Sequence, residues 1–324
     1  WGDFKEDAKS LHGYFSFIVD GVDYRSHLHL MGFSNHFIKV RFTYRADAQQ
    51  AGDELHRKLL RELRVALAEV GTRTMPDLTI AARNGVTELV RSLLKAGADV
   101  NAIHPIAGTA LLAAITGYHA EIARILLENK ADVDAGSDYG LTPLGMAATE
   151  GHVNMLRLLV DKGADINLPD YNGITPLMFA AYNNHLDSVT YLIAKGAKIA
   201  ATSKEGMSAL DYAAQKGHLD VVRLLIEKGV DVNVFTPDIG PALLIAVMRG
   251  HRDVARLLIS KGADVNAKAA NGLTSLMAAA YIGDKNLATL LLDAGADVGA
   301  RDSDGFTPLM HSVEPGHLAV IKLL

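Results

Sequence analysis

Apolar positions in this chain recur with a period of 33 residues. One leucine series runs Leu78, Leu111, Leu144, Leu177, Leu210, Leu243, Leu276 and Leu309. A second follows fifteen residues behind it: Leu93, Leu126, Leu159, Leu192, Leu225, Leu258, Leu291 and Leu324. Neither series misses a member. Sixteen matches without drift predict eight copies of one unit, stacked so that each touches only its neighbours. Such a stack is a scaffold for binding before it is anything else.

The stretch from Asp138 to Asn167 shows what one unit predicts. Gly140 sits in a polar turn and can take a positive φ. Thr142 is placed to cap a helix, and Pro143 takes the first helical position, where its missing N–H costs nothing. Leu144, Ala147 and Ala148 fall at i, i+3 and i+4 and make one apolar stripe. The paired alanines let a second helix approach closely. Gly151 ends this helix and His152 opens the next, whose stripe is Met155, Leu156, Leu159 and Val160. Gly163 follows as a residue that closes the last carbonyls. Each unit is therefore helix, tight turn, helix, extended loop. Neither amphipathic helix can bury its face alone, so stability comes from stacking.

These residues resemble the ankyrin repeat, whose length is also 33. The Thr-Pro-Leu motif stands at Thr142-Pro143-Leu144, Thr175-Pro176-Leu177 and Thr307-Pro308-Leu309, with altered forms at Thr109, Ser208 and Thr274. The Gly-His step appears at Gly151, Gly217, Gly250 and Gly316, and the Gly-Ala-Asp tail from Gly97, Gly163 and Gly262. The resemblance covers residues 74–324. It implies a mainly α solenoid that binds another protein on a concave face and turn tips. The family's histidine after Thr-Pro-Leu is absent: Thr79, Leu112, Gly145, Met178, Asp211, Leu244, Met277 and Met310 stand there. The array should therefore lean more on packing. The fourth unit is the least regular, with Asn184 for Gly and Lys198 for Asp, and the turn Phe235–Pro241 puts a proline where Thr belongs. The last unit stops at Leu324 inside a predicted helix, so either further residues cover its apolar face or that end frays.

Residues 1–73 break the period. Tyr14–Asp20, Val22–Met31 and His36–Arg45 are rich in β-branched and aromatic residues and predict a small antiparallel meander. Asp47 to Val70 predicts a helix, with Leu55, Leu59, Leu63 and Leu67 on one face. The expectation is a small α+β domain, three strands plus a helix, capping an array that spans 74–324.

Charge and composition narrow the function. The first 73 residues hold 11 Lys and Arg against 10 Asp and Glu; the remainder holds 21 against 27. A mildly acidic array lacks the clustered cations that phosphate backbones require, so no nucleic acid is expected. No apolar run is long enough to span a membrane. There is no cysteine, hence no disulfide, thiol nucleophile or thiolate site. The chain opens on Trp1 with no leader in view, which leaves cytoplasmic and exported bacterial locations open.

Catalytic motifs are missing: no Gly-x-Ser-x-Gly, no phosphate loop, no dinucleotide fingerprint. Six histidines share one repeat position (119, 152, 185, 218, 251 and 317), too far apart on successive units to share an ion. They read as structural. His27 and His29 share a strand face, but two imidazoles are not a set, and a solvated strand face accounts for them. No catalytic residue, metal or cofactor is assigned. An enzyme with its chemistry in residues 1–73 is the weakest alternative.

The expected contacts with a partner lie on the tips and the ends of the first helices: Tyr139, Leu141, Tyr171, Ile174, Tyr182, Met207, Phe235, Met248, Arg249, Tyr281, Ile282 and Phe306. Aromatic residues and Arg are frequent energetic anchors of interfaces, and Met adapts to varied shapes. The expected function is capture of a partner protein. A narrower alternative is an immunity or inhibitor protein that neutralises a toxin or enzyme.

Overall fold

A computed structural model describes the backbone of residues 5–7, 10–19 and 22–31, and residues 77–104, 108–236 and 239–324 in full. Its contacts divide the chain into Trp1–Met75 and Pro76–Leu324. In the first unit an antiparallel sheet runs in the order β1 (Lys5–Asp7), β2 (Ser10–Val19), β3 (Val22–Met31). β2 and β3 form a hairpin paired from Val19 and Val22 to Ser10 and Met31. β3 spans the segment expected from the sequence; β2 begins earlier than expected, and β1 is an addition. The strand expected at 36–45 and the helix expected at 47–70 lie outside the described residues.

The second unit is built of helix pairs. The first members are α1 (Leu78–Arg83), α3 (Ala110–Thr116), α5 (Pro143–Thr149), α7 (Pro176–Tyr182), α9 (Ala209–Lys216), α11 (Ala242–Met248), α13 (Ser275–Ile282) and α15 (Pro308–Val313). Their partners are α2 (Thr87–Lys95), α4 (Ala120–Glu128), α6 (Val153–Asp161), α8 (Leu186–Ala194), α10 (Leu219–Glu227), α12 (Arg252–Ser260), α14 (Lys285–Asp293) and α16 (Leu318–Ile321). Each first helix packs on its own partner and on the first helices beside it. From Leu78 to Leu291 the leucine series and the alanine pairs, such as Ala147 and Ala148, are almost wholly buried between them, whereas Leu309 in the last pair is exposed. At about 1.5–3 kcal/mol per leucine, this shared core is what a single pair lacks.

Local chemistry starts and stops each helix. Thr142 Oγ1 accepts from the backbone N–H of Gly145 at 3.0 Å, and Thr109, Thr175, Ser208, Thr274 and Thr307 cap in the same way. Pro241 has no hydroxyl and caps nothing; its turn instead closes through a two-stranded ribbon, Phe235–Thr236 with Gly240–Pro241. Gly163 ends α6 at φ 92°, a left-handed backbone open to glycine. Where the family carries histidine, Asp211 is buried and accepts from Ser208 N and Oγ at 2.8 and 2.7 Å, and from Thr236 Oγ1 at 3.3 Å. Burial raises its pKa, against these hydrogen bonds.

Two ladders tie neighbouring pairs together. In the loops, Asn101, Asn167, Asn233 and Asn266 each accept, through Oδ1, the backbone N–H of residue 132, 198, 264 or 297 at 2.7–2.8 Å. Ala200 stands at this position in its loop and has no side-chain acceptor to offer. At the helix turns, Nε2 of His119, His185, His218, His251 and His317 lies 2.9–3.1 Å from the carbonyl of Arg83, Thr149, Tyr182, Gln215 and Tyr281. A carbonyl only accepts, so each imidazole must carry its proton on Nε2. The structural reading of these histidines holds, with one exception. His152 is in place, but both ring nitrogens are buried without a partner. Tyr118, at φ 63°, occupies the residue where the neighbouring joints have Gly85 and Gly151, and its ring centroid lies 3.7 Å from that of His152.

Candidate partner-binding face

Positions 33 residues apart line up along the array, so a row of side chains can be read across it. Tyr182, Gln215, Met248 and Tyr281 form one such row at the ends of the first helices. The next position gives a second row: Asn183, Lys216, Arg249 and Ile282. Met248, Tyr281 and Ile282 are exposed, and Arg249 stands open beside them. The Tyr182 ring meets the edge of Tyr212 at a centroid distance of 6.0 Å, and Lys216 Nζ lies 4.3 Å from the Tyr182 centroid. That ammonium over a ring face is a cation–π pair that also pre-orders the tyrosine.

The turn tips separate into two kinds. Tyr139 and Tyr171 are 80 % and 64 % exposed, and Phe235 and Phe306 also stand out. The aliphatic tip residues turn the other way. Met207 is only 2 % exposed and cannot offer a contact surface, which corrects the expectation for that residue. Its backbone is held by Ser203, whose N–H donates to the Met207 carbonyl at 2.9 Å, and its side chain joins the interior. Ile174 packs partly against the core. Leu141 Cδ1 lies where it would meet a Cβ on Gly145 at 2.9 Å, so it rests on the first turn of α5. Leu141 and Ile174 are thus half-buried supports of the tips.

Near the end of the array a groove of about 370 Å³ is lined by Met248, Leu273, Tyr281, Ile282, Phe306 and Met310, with Asp304 and Glu314 also in its wall. His311 Nε2 lies 2.8 Å from Asp302 Oδ2 in the same wall. Burial opposes ionisation of Asp302, but hydrogen bonds from His311, Phe306 N and Asp304 N outweigh it and lower its pKa. The sequence reading missed Tyr212, Lys216, Met310, Asp302 and His311. His311 stands one residue beyond Met310, the position that carries histidine in the family pattern, so the motif does not point to it.

Among the residues described with side chains, no group of three His, Asp or Glu residues is placed to hold a metal ion. Among the described residues no helix is long and apolar enough to cross a membrane.

A family model described as ankyrin repeats (3 copies) matches residues 78–170, 167–236 and 242–324. No curated protein matches the chain.

Proposed function

The chain belongs to the ankyrin-repeat family, a protein-interaction scaffold, and from that premise we propose that it captures a partner protein on the tips and first-helix ends of residues 139–306. The observation that carries the reading is the outward placement of aromatic and sulfur side chains where polar residues would serve a merely solvated surface. Tyr139, Tyr171, Phe235, Met248, Tyr281 and Phe306 are all exposed; Met248 and Tyr281 share one repeat position, and the other four stand on the turn tips. Large rigid aromatics supply contact area at low entropic cost, and those at the centre of an interface carry most of its energy. Lys216 and Arg249 beside the row favour a partner that sets an acidic side chain next to an apolar one.

The test is to immobilise the chain, capture a partner from the native source, and map the complex by hydrogen exchange. Protection over 139–141, 171–182, 235–249 and 281–306 is the expected footprint. A footprint confined to α6, α8, α10 and α12 would overturn the assignment of this face.

The narrower form of the reading makes the partner a toxin or an enzyme that the array neutralises. It predicts that co-expression with the captured partner suppresses that partner's activity. Unchanged activity in a stable complex would leave a scaffold and remove the inhibitor.

A further inference from the structure

The groove near the end of the array joins two features that the rest of the face shows only apart. Its lining is largely apolar: Met248 and Tyr281 continue the row that starts at Tyr182, and Ile282, Phe306 and Met310 widen it. Its charged lining is acidic. Asp302, Asp304 and Glu314 belong to it, and among the described residues no Lys or Arg does. Asp302 is committed to the fold: its carboxylate accepts from the backbone N–H groups of Asp304 and Phe306 and lies 2.8 Å from His311 Nε2. Arg301 of the same turn spends Nη1 on the Gly305 carbonyl at 2.7 Å. Asp304 and Glu314 stand exposed.

Charge therefore changes sign along the face. Glu314 follows Tyr281 by 33 residues and so extends the row of Met248 and Tyr281, whereas Lys216 and Arg249 stand exposed beside its earlier part. Arg249 and Glu314 are two units apart. Neighbouring helices lie about 8–10 Å apart, which separates these charges by about 16–20 Å. An extended chain rises about 3.2–3.4 Å per residue and covers that span in about five or six residues. A groove of about 370 Å³ is small for a ligand pocket, so it takes side chains of a passing segment and not a folded element.

We propose that the groove docks an extended segment of the partner that carries Lys or Arg beside a large apolar residue, with an acidic residue about five or six positions away, toward Arg249. The inference rests on the reading of this face as the partner-binding one. The apolar residue enters the well lined by Tyr281, Ile282 and Phe306. The Lys or Arg lays its methylene stem along an aromatic ring and brings its cation to Asp304 and Glu314. Complementary charges of this kind fix register and exclude wrong partners more than they add affinity.

The test uses the full chain, immobilised, to select from a displayed library of random twelve-residue peptides. Enriched sequences should carry Lys or Arg within one residue of Phe, Tyr, Leu, Ile or Met, and Asp or Glu about five or six positions off. Asp304→Lys combined with Glu314→Lys should weaken these peptides about fivefold or more in fluorescence anisotropy. That variant should melt as the unaltered chain does and, on reselection, lose the preference for a basic residue. Arg249→Glu should lose the acidic preference and keep the other two. Added salt should narrow these differences, because exposed charges are screened. Peptides that protect 235–249 and 281–306 from hydrogen exchange yet show no basic preference, or bind the double lysine variant as tightly, overturn this inference and leave the wider face standing. Protection confined to α6, α8, α10 and α12 overturns both. No enrichment overturns the groove as a site for an extended segment. A dimer of the unaltered chain that Phe306→Asp dissolves gives the groove another occupant and overturns it as well.

Discussion

Two joints of the array differ by one side chain. Between α5 and α8, Gly151 leaves room for His185, whose Nε2 lies 2.9 Å from the Thr149 carbonyl. A Cβ on Gly151 would sit 2.4 Å from His185 Nδ1. One unit earlier, Tyr118 occupies the corresponding place, and His152 has no partner for either nitrogen. Tyr118 also holds a left-handed backbone that costs a non-glycine residue about 1–2 kcal/mol. The comparison teaches that the histidine ladder depends on the glycine of the preceding pair as much as on the histidine. Asn184 sets the limit of that rule: it too has a positive φ, yet His218 still reaches Tyr182 O at 2.9 Å. A compact side chain leaves the bond intact there, and a ring set edge-on against the imidazole does not.

The largest expected effect comes from copying the irregular joint onto the regular one. Gly151→Tyr should cost about 2–3 kcal/mol, the sum of backbone strain and a lost hydrogen bond, and lower the melting temperature. An unchanged melting curve would break the comparison. The reverse exchange, Tyr118→Gly, should stabilise by about 1–2 kcal/mol in chemical denaturation. It should also slow exchange of the His152 Nε2 proton in NMR spectra as the bond to a carbonyl forms.

A change away from the joints sharpens the contrast. Ser188 is fully buried with an unpartnered hydroxyl at a position where Ile122, Met155, Val221 and Val254 stand in other pairs. Ser188→Val should stabilise by about 1 kcal/mol through added burial and removal of the orphan group. It should leave the pH dependence of unfolding as it was. That dependence is where His152 acts. Burial lowers its pKa from 6.5, so unfolding takes up a proton. Its neutral form supports the fold fully above about pH 6.5, and this share is lost as pH falls from there toward the folded-state value. His152→Asn should flatten the stability profile in that window, read from denaturation midpoints across pH. His218 is shifted in the same direction, also by burial, and keeps part of the slope in the variant.

The helix pairs were legible because backbone position alone writes the 33-residue pattern: a leucine per helix, a hydroxyl before Pro143 and Pro176, and a glycine at the left-handed turns other than those of Tyr118, Lys130 and Asn184. Thr142 and Gly163 act as read. Side-chain direction at the tips was not legible. Met207 and Tyr139 look alike as large apolar tip residues, yet one is buried and the other open. The difference lies in where each stands in its turn. Met207, like Leu141 and Ile174, directly follows the turn glycine and folds back toward the first helix; Tyr139 precedes its glycine and projects outward, and Phe306 of the last pair, although it follows Gly305, is exposed as well. The joint at Tyr118 escaped for a related reason. A tyrosine replacing glycine was visible in the sequence, but its effect falls on a histidine 34 residues away, across a packing contact that periodicity does not describe.

These observations divide the array into joints that hold it and rows that face outward. Paired measurement of melting temperature and partner capture on Tyr182→Ala with Tyr281→Ala, beside Gly151→Tyr, tests that division directly. The double alanine variant should lose capture while melting within a few degrees of the unaltered chain; Gly151→Tyr should melt markedly lower and still capture below its transition. Capture retained by the double variant, or its collapse at the lower temperature of the joint variant, would contradict the account.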